Sequence, residues 1–185
     1  MQRKYYPIDV SSFFNHKMMY ASENLTQGFD PNIGVMGIVV NDKKYNFIDK
    51  MMYLNGIRFK LYGNQAEQDN FICNGQVITV PPRNKYKKLA IMGFNEFFSY
   101  KTVFQVVSNN TIYDHTVMFY HCNENIEALY DNEKTESSCE ILRSKSNTWQ
   151  KVKCFCDIVE IEADIDKIIC PVNIETHIVA ITAIA

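Results

Sequence analysis

The sequence has only one tryptophan, seven glycines and five prolines in 185 residues, and the glycines are nowhere clustered. That excludes a collagen-like or low-complexity chain and leaves no Gly-rich loop to cradle a phosphate. No apolar run is long. The longest, Ile178 to Ala185, falls far short of the ~20 residues needed to span a bilayer as a helix. The first ten residues carry Arg3 and Lys4 with no apolar stretch behind them, so they do not read as a signal peptide. These absences lead to the expectation of a cytoplasmic chain without a membrane span. A dominant charge is missing as well. Nineteen basic against 21 acidic side chains give a net charge of −2, which argues against a nucleic-acid partner.

Helical periodicity is nearly absent too. The nearest approach is Asn125 to Asp131, one or two turns at most. What dominates instead is alternation. Ile57, Phe59 and Leu61 alternate with Arg58 and Lys60, as in a strand with one buried face. Val77 to Val80 follows the turn dipeptide Asn74-Gly75. Leu89 to Phe94 and Thr102 to Val107 are short runs of β-branched and aromatic residues. Asn109-Asn110 breaks the chain before Thr111 to Tyr120, Val152 to Ile161 alternates again, and Ile174 to Ile184 reads as a last strand. Closely spaced strands with Asn, Gly and Pro between them predict one all-β domain over 1–185, an antiparallel β-sandwich or jelly roll.

The six cysteines, at 73, 122, 139, 154, 156 and 170, are read as buried reduced thiols. Cys154-Phe-Cys156 is not the usual spacing of a structural zinc site, and no metal or cofactor is expected. Glu160, Glu162, Asp164 and Asp166 form an alternating acidic row, read as the solvated face of a strand. Arg83 to Lys88 is the one basic cluster, read as a solvated turn. No G-x-S-x-G or H-E-x-x-H motif supplies a nucleophile or a metal pair. His177 sits in an apolar strand, where a hydrogen-bonded structural role is expected. The chain is therefore not expected to be an enzyme.

Aromatics make up 13% of the chain, and Trp149 follows the polar stretch Ser146-Asn-Thr148, which makes it the candidate for an exposed aromatic shown to a ligand. A core tryptophan is the competing reading. Asp69, Asn70 and Gln76 have their own bland role, capping turns and fixing loops.

Three segments carry a resemblance: Asn55 to Phe59, Asp69 to Pro81, and Tyr86 to Gly93. Together they resemble non-catalytic, galactose-binding-like β-sandwich modules attached to glycoside hydrolases such as fucosidase-like and mannosidase-like enzymes. Ile8 to Asn15 looks like the first strand of those modules, Gly28 to Asp30 like the loop after it, and Asp166 to Pro171 with Ile178 to Thr182 like their last two strands. The resemblance implies a carbohydrate-binding module. Its ligand residues would be Arg58, Asp69, Asn70, Gln76, Asp114 and Trp149, in loops at one end of the sandwich. The family's Y-x-D-G-T turn departs here to Tyr113-Asp-His-Thr116, with His115 for glycine and no tryptophan in the next strand. The alternative is a jelly-roll subunit without a sugar ligand, joined to a protein partner or to further copies of itself through a face or an edge strand.

Overall fold

The structure, a computed structural model, describes residues 4–16, 19–20, 29–30, 35–36, 38–39, 51–54, 56–63, 68–82, 85–121, 138–143 and 151–185. Sixteen strands and one short 3-10 helix, Ser11–Phe13, are described, and no helix among these residues is long and apolar enough to cross a membrane. The strands are β1 (Tyr5–Ile8), β2 (Met19–Tyr20), β3 (Phe29–Asp30), β4 (Val35–Met36), β5 (Ile38–Val39), β6 (Met51–Leu54), β7 (Ile57–Lys60) and β8 (Phe71–Asn74). There follow β9 (Val77–Thr79), β10 (Lys88–Asn95), β11 (Tyr100–Ser108), β12 (Thr111–Phe119), β13 (Ser138–Arg143), β14 (Lys151–Glu160), β15 (Lys167–Ile169) and β16 (Val172–Ile184).

Two antiparallel sheets make the sandwich. The first runs β1-β16-β10-β14-β13, with β8 also paired to β16, and the second runs β12-β11-β15-β9. The expected all-β sandwich is what the chain forms. Three smaller pairs, β2-β5, β3-β4 and β6-β7, accompany it.

The alternation in β11 has a direct cause in this architecture. Thr102, Phe104, Val106 and Ser108 are buried toward the first sheet, while Lys101, Val103, Gln105 and Val107 lie outward. A two-residue turn joins β11 to β12, and both of its residues, Asn109 and Asn110, have positive φ (47° and 64°). This left-handed pair matches the twist of a tight hairpin, and asparagine tolerates it.

The first sheet behaves differently. β10 is buried from Leu89 to Asn95 and β16 from Thr176 to Ile184, on both faces. Gly93 and Asn95 face the second sheet: Asn95 Nδ2 donates to the Phe119 carbonyl at 3.0 Å. Ala90, Met92 and Phe94 face the other way. There β7 and the segments around residues 14–16 and 69–70 form a further layer, into which Thr182 Oγ1 donates to the Arg58 carbonyl at 2.9 Å. β16 carries one extra residue, Val179, opposite the step from Met92 to Gly93. The bulge brings the His177 carbonyl to within 2.3 Å of where a Cβ at position 93 would stand, so this position needs glycine.

Several expected boundaries move. Ile8 to Asn15 is not one strand: β1 ends at Ile8, and Asp9 Oδ1 accepts from Ser11 N and Oγ to start the 3-10 turn. Tyr113 to Thr116 is not a turn but the middle of β12, because the asparagine pair takes the turn instead. The acidic row is not a strand face either. β14 stops at Glu160, which pairs with Lys88 at 2.7 Å, while Asp164 in the following loop pairs with Lys85 at 3.5 Å. Asp166 Oδ2 accepts from Asn109 N, tying that loop to the hairpin. Asn125 to Asp131 lies outside the described residues.

Candidate functional site

The densest buried polar assembly lies on the outward side of the first sheet. Asn70 is its centre. Its Nδ2 donates to Asp69 Oδ1 at 2.7 Å and to the His16 carbonyl at 3.4 Å. That orients Oδ1 toward two imidazoles, His16 Nδ1 at 3.1 Å and His177 Nδ1 at 2.9 Å. One amide oxygen has two lone pairs, so both ring nitrogens are donors here. The two imidazoles meet edge to face at 5.0 Å, and Phe94 stacks on His177 at 4.7 Å. Glu96 Oε2 stands 3.6 Å from His177 Nε2, a contact that becomes an ion pair when His177 is protonated.

Local chain geometry explains how the sequence builds this cluster. His16 and Asn70 form an isolated antiparallel bridge, exchanging backbone hydrogen bonds, and Asn15 Oδ1 accepts from Ile72 N. Phe94 and His177 are register partners across β10 and β16. All five polar side chains are buried. A group so enclosed cannot meet a substrate without the surrounding layer opening. What the arrangement does is bind four chain segments to one another. No group of three or more His, Cys, Asp or Glu among the described residues is arranged to hold a metal ion.

A second polar set, at the end of β10, joins the sheets. Asn95 N donates to the Tyr120 carbonyl, Asn95 Oδ1 accepts from Thr176 Oγ1 at 2.9 Å, and Tyr100 Oη lies 3.3 Å from the same hydroxyl.

The expected ligand residues occupy several places. Asp69 and Asn70 are together in the buried cluster. Gln76 ties the turn back to the preceding strand, β8: Nε2 donates to the Ile72 carbonyl at 2.8 Å and Oε1 accepts from Asn74 N at 2.7 Å. Arg58 is exposed on β7, and Asp114 is exposed on β12, where Gln105 Nε2 donates to it across the hairpin at 3.2 Å. Trp149 lies outside the described residues. Sequence reading anticipated a bonded His177 but missed His16 and Glu96 as its neighbours. Their one signal was that a histidine in an apolar strand requires polar partners from elsewhere in the chain.

Two surface features complete the inventory. Across the outward face of the second sheet an aliphatic diagonal runs from edge to edge, through Ile112 of β12, Val107 of β11, Ile169 of β15 and Val77 of β9, with Ile112 56% and Val77 47% exposed; Val103, 47% exposed, lies apart from it beyond Gln105. Lys101, Asp114 and Lys167 lie on the same face. Around the edge of that sheet, Tyr113, Ile161, Glu162 and Ala163 line an open depression of about 490 Å³.

Neither the known protein-family models nor the curated proteins include a match to this sequence.

Proposed function

We propose that the protein is a non-catalytic assembly subunit, and that it joins a second copy of itself through the outward face of the four-stranded sheet. One observation carries the reading: the aliphatic diagonal of Ile112, Val107, Ile169 and Val77 across that face, with charges of both signs around it. Contiguous exposed apolar side chains on a sheet face mark an interaction surface. A two-fold axis makes an interface self-complementary, and a face carrying Lys101, Lys167 and Asp114 can set each acid against a lysine of the other copy. The non-catalytic character is supported by the burial of the histidine–carboxylate cluster. Light scattering after size exclusion tests the reading. A dimer is expected, and Val103→Glu combined with Ile112→Lys should convert it to a monomer with little change in melting temperature. A wild type that stays monomeric at all concentrations overturns the reading.

A glycan-binding, galactose-binding-like module is the second reading, and the depression at Tyr113 favours it. A half-exposed tyrosine ring beside the Glu162 carboxylate offers a stacking surface with an acceptor for hydroxyls. Binding on a glycan array that Tyr113→Ala abolishes, from a monomeric protein, would put this reading first.

A further inference from the structure

The buried histidine–carboxylate cluster is one hydrogen short. Asn70 Nδ2 donates to Asp69 Oδ1 and to the His16 carbonyl, which leaves Oδ1 to accept from His177 Nδ1 at 2.9 Å. An amide oxygen cannot donate, so the hydrogen of a neutral His177 sits on Nδ1 and its Nε2 carries a lone pair. That lone pair has no hydrogen bond among the described residues and faces Glu96 Oε2 at 3.6 Å, with the two side chains only 1% and 4% exposed. Two acceptors set face to face away from water repel each other. One additional proton turns the repulsion into a charge-assisted contact.

We propose that His177 and Glu96 together bind one proton in the folded chain, and that this proton latches the outer layer over the first sheet. Four segments meet at the latch. His177 lies on β16, Glu96 follows β10, His16 precedes β2, and Asp69 and Asn70 precede β8. His16 meets His177 edge to face and turns its own Nδ1 to Asn70, while Asp69 is engaged by Asn70 Nδ2. Phe94 and Ile72, the register partners of His177 on β10 and β8, bring no charge. Glu175, half-buried on β16, accepts from Glu96 N through its backbone carbonyl. Among the described residues, Glu96 supplies the carboxylate within ion-pair reach of His177 Nε2.

The latch gives the layer a response to pH. The layer is tied down by the backbone bonds exchanged between His16 and Asn70 and by Asn15 Oδ1, which accepts from Ile72 N. Lifting it uncovers Phe94, which stacks on His177 at 4.7 Å, and brings the imidazole into water. Above about pH 6.5 a solvated imidazole is neutral, so the proton passes to solvent as the layer lifts. An opening that releases one proton is favoured up to about tenfold by each unit rise in pH. The layer is therefore held most firmly below that pH and loosens as the solution becomes more alkaline.

The test is amide hydrogen exchange of the full chain, read as protection factors at His16, Asp69, Asn70 and Ile72, from about pH 6 to about pH 9. Protection at these four amides is expected to fall with pH, by up to about tenfold per unit. Nitrogen and carbon NMR of the folded wild type at about pH 8, where a solvated histidine is neutral, is expected to find the extra hydrogen on His177 Nε2 or on the Glu96 carboxyl. Glu96→Gln sets an amide donor against a neutral imidazole, so this variant should keep the protection and lose its pH dependence. Three results overturn the proposal: wild-type protection that ignores pH, the same slope in Glu96→Gln, or an NMR spectrum with the hydrogen on neither group. The wild-type spectrum decides the matter even if the variant folds poorly.

Discussion

The outward faces of the two sheets have opposite fates. On the first, Ala90, Met92 and Phe94 are buried beneath β7 and the segments that bring in His16 and Asn70. On the second, the equivalent positions of β11, Val103 and Val107, lie at the surface. The difference separates what holds the molecule together from what it can offer to a partner. A strand buried on both sides contributes stability with every residue, whereas a strand buried on one side can change its outer residues almost freely.

The largest expected effect tests that contrast directly. Met92→Ala should cost about 2–5 kcal/mol, because it removes a fully buried side chain and leaves a cavity. Val103→Ala should change stability by less than about 0.5 kcal/mol. Urea unfolding of both variants measures the two numbers, and similar losses would mean that the second sheet's outer face is covered as well.

Asn70→Ala comes next. It leaves two imidazole Nδ1 groups and Asp69 without their shared partner, which should cost about 3 kcal/mol. A variant that keeps its melting temperature but loses a ligand would return Asn70 to the binding residues and break the comparison on the first sheet's side.

The smallest effect concerns alkali. The Cys73 pKa is raised in the folded state, so below its ordinary value of 9.0 both states hold the proton and the stability is fully present. Above that pH the unfolded chain releases the proton first, and stability falls until the folded thiol also ionises. The wild type should therefore lose stability above about pH 9 more steeply than Cys73→Ala, as read from melting temperatures along a pH series.

Much of the second sheet was legible residue by residue. β11 was found as a short run of β-branched and aromatic residues, which favour the pleated, half-buried surface of a sandwich strand, and the asparagine pair marked the turn before β12. β10 and β16 were also found, as short apolar runs, but a continuous run does not say what lies on each side of it. The candidate residues were less readable. Asp69 and Asn70 looked like ligand or turn residues, and their actual partners are 54 and 107 positions from Asn70 along the chain, at His16 and His177.

By itself the sequence determined that this chain forms strands, where seven of the sixteen described strands run, and that His177 needs hydrogen-bonding partners. These follow from local properties: side-chain alternation, β-branched content and the conformational tolerance of asparagine and glycine. Only the tertiary structure decided which strands share a sheet, that Gly93 lies beneath a bulged carbonyl, that Asn70 reaches both His16 and His177, and that one sheet is covered where the other is bare. Each of these depends on segments far apart in the chain reaching the same place, and no local pattern records which distant residue will arrive.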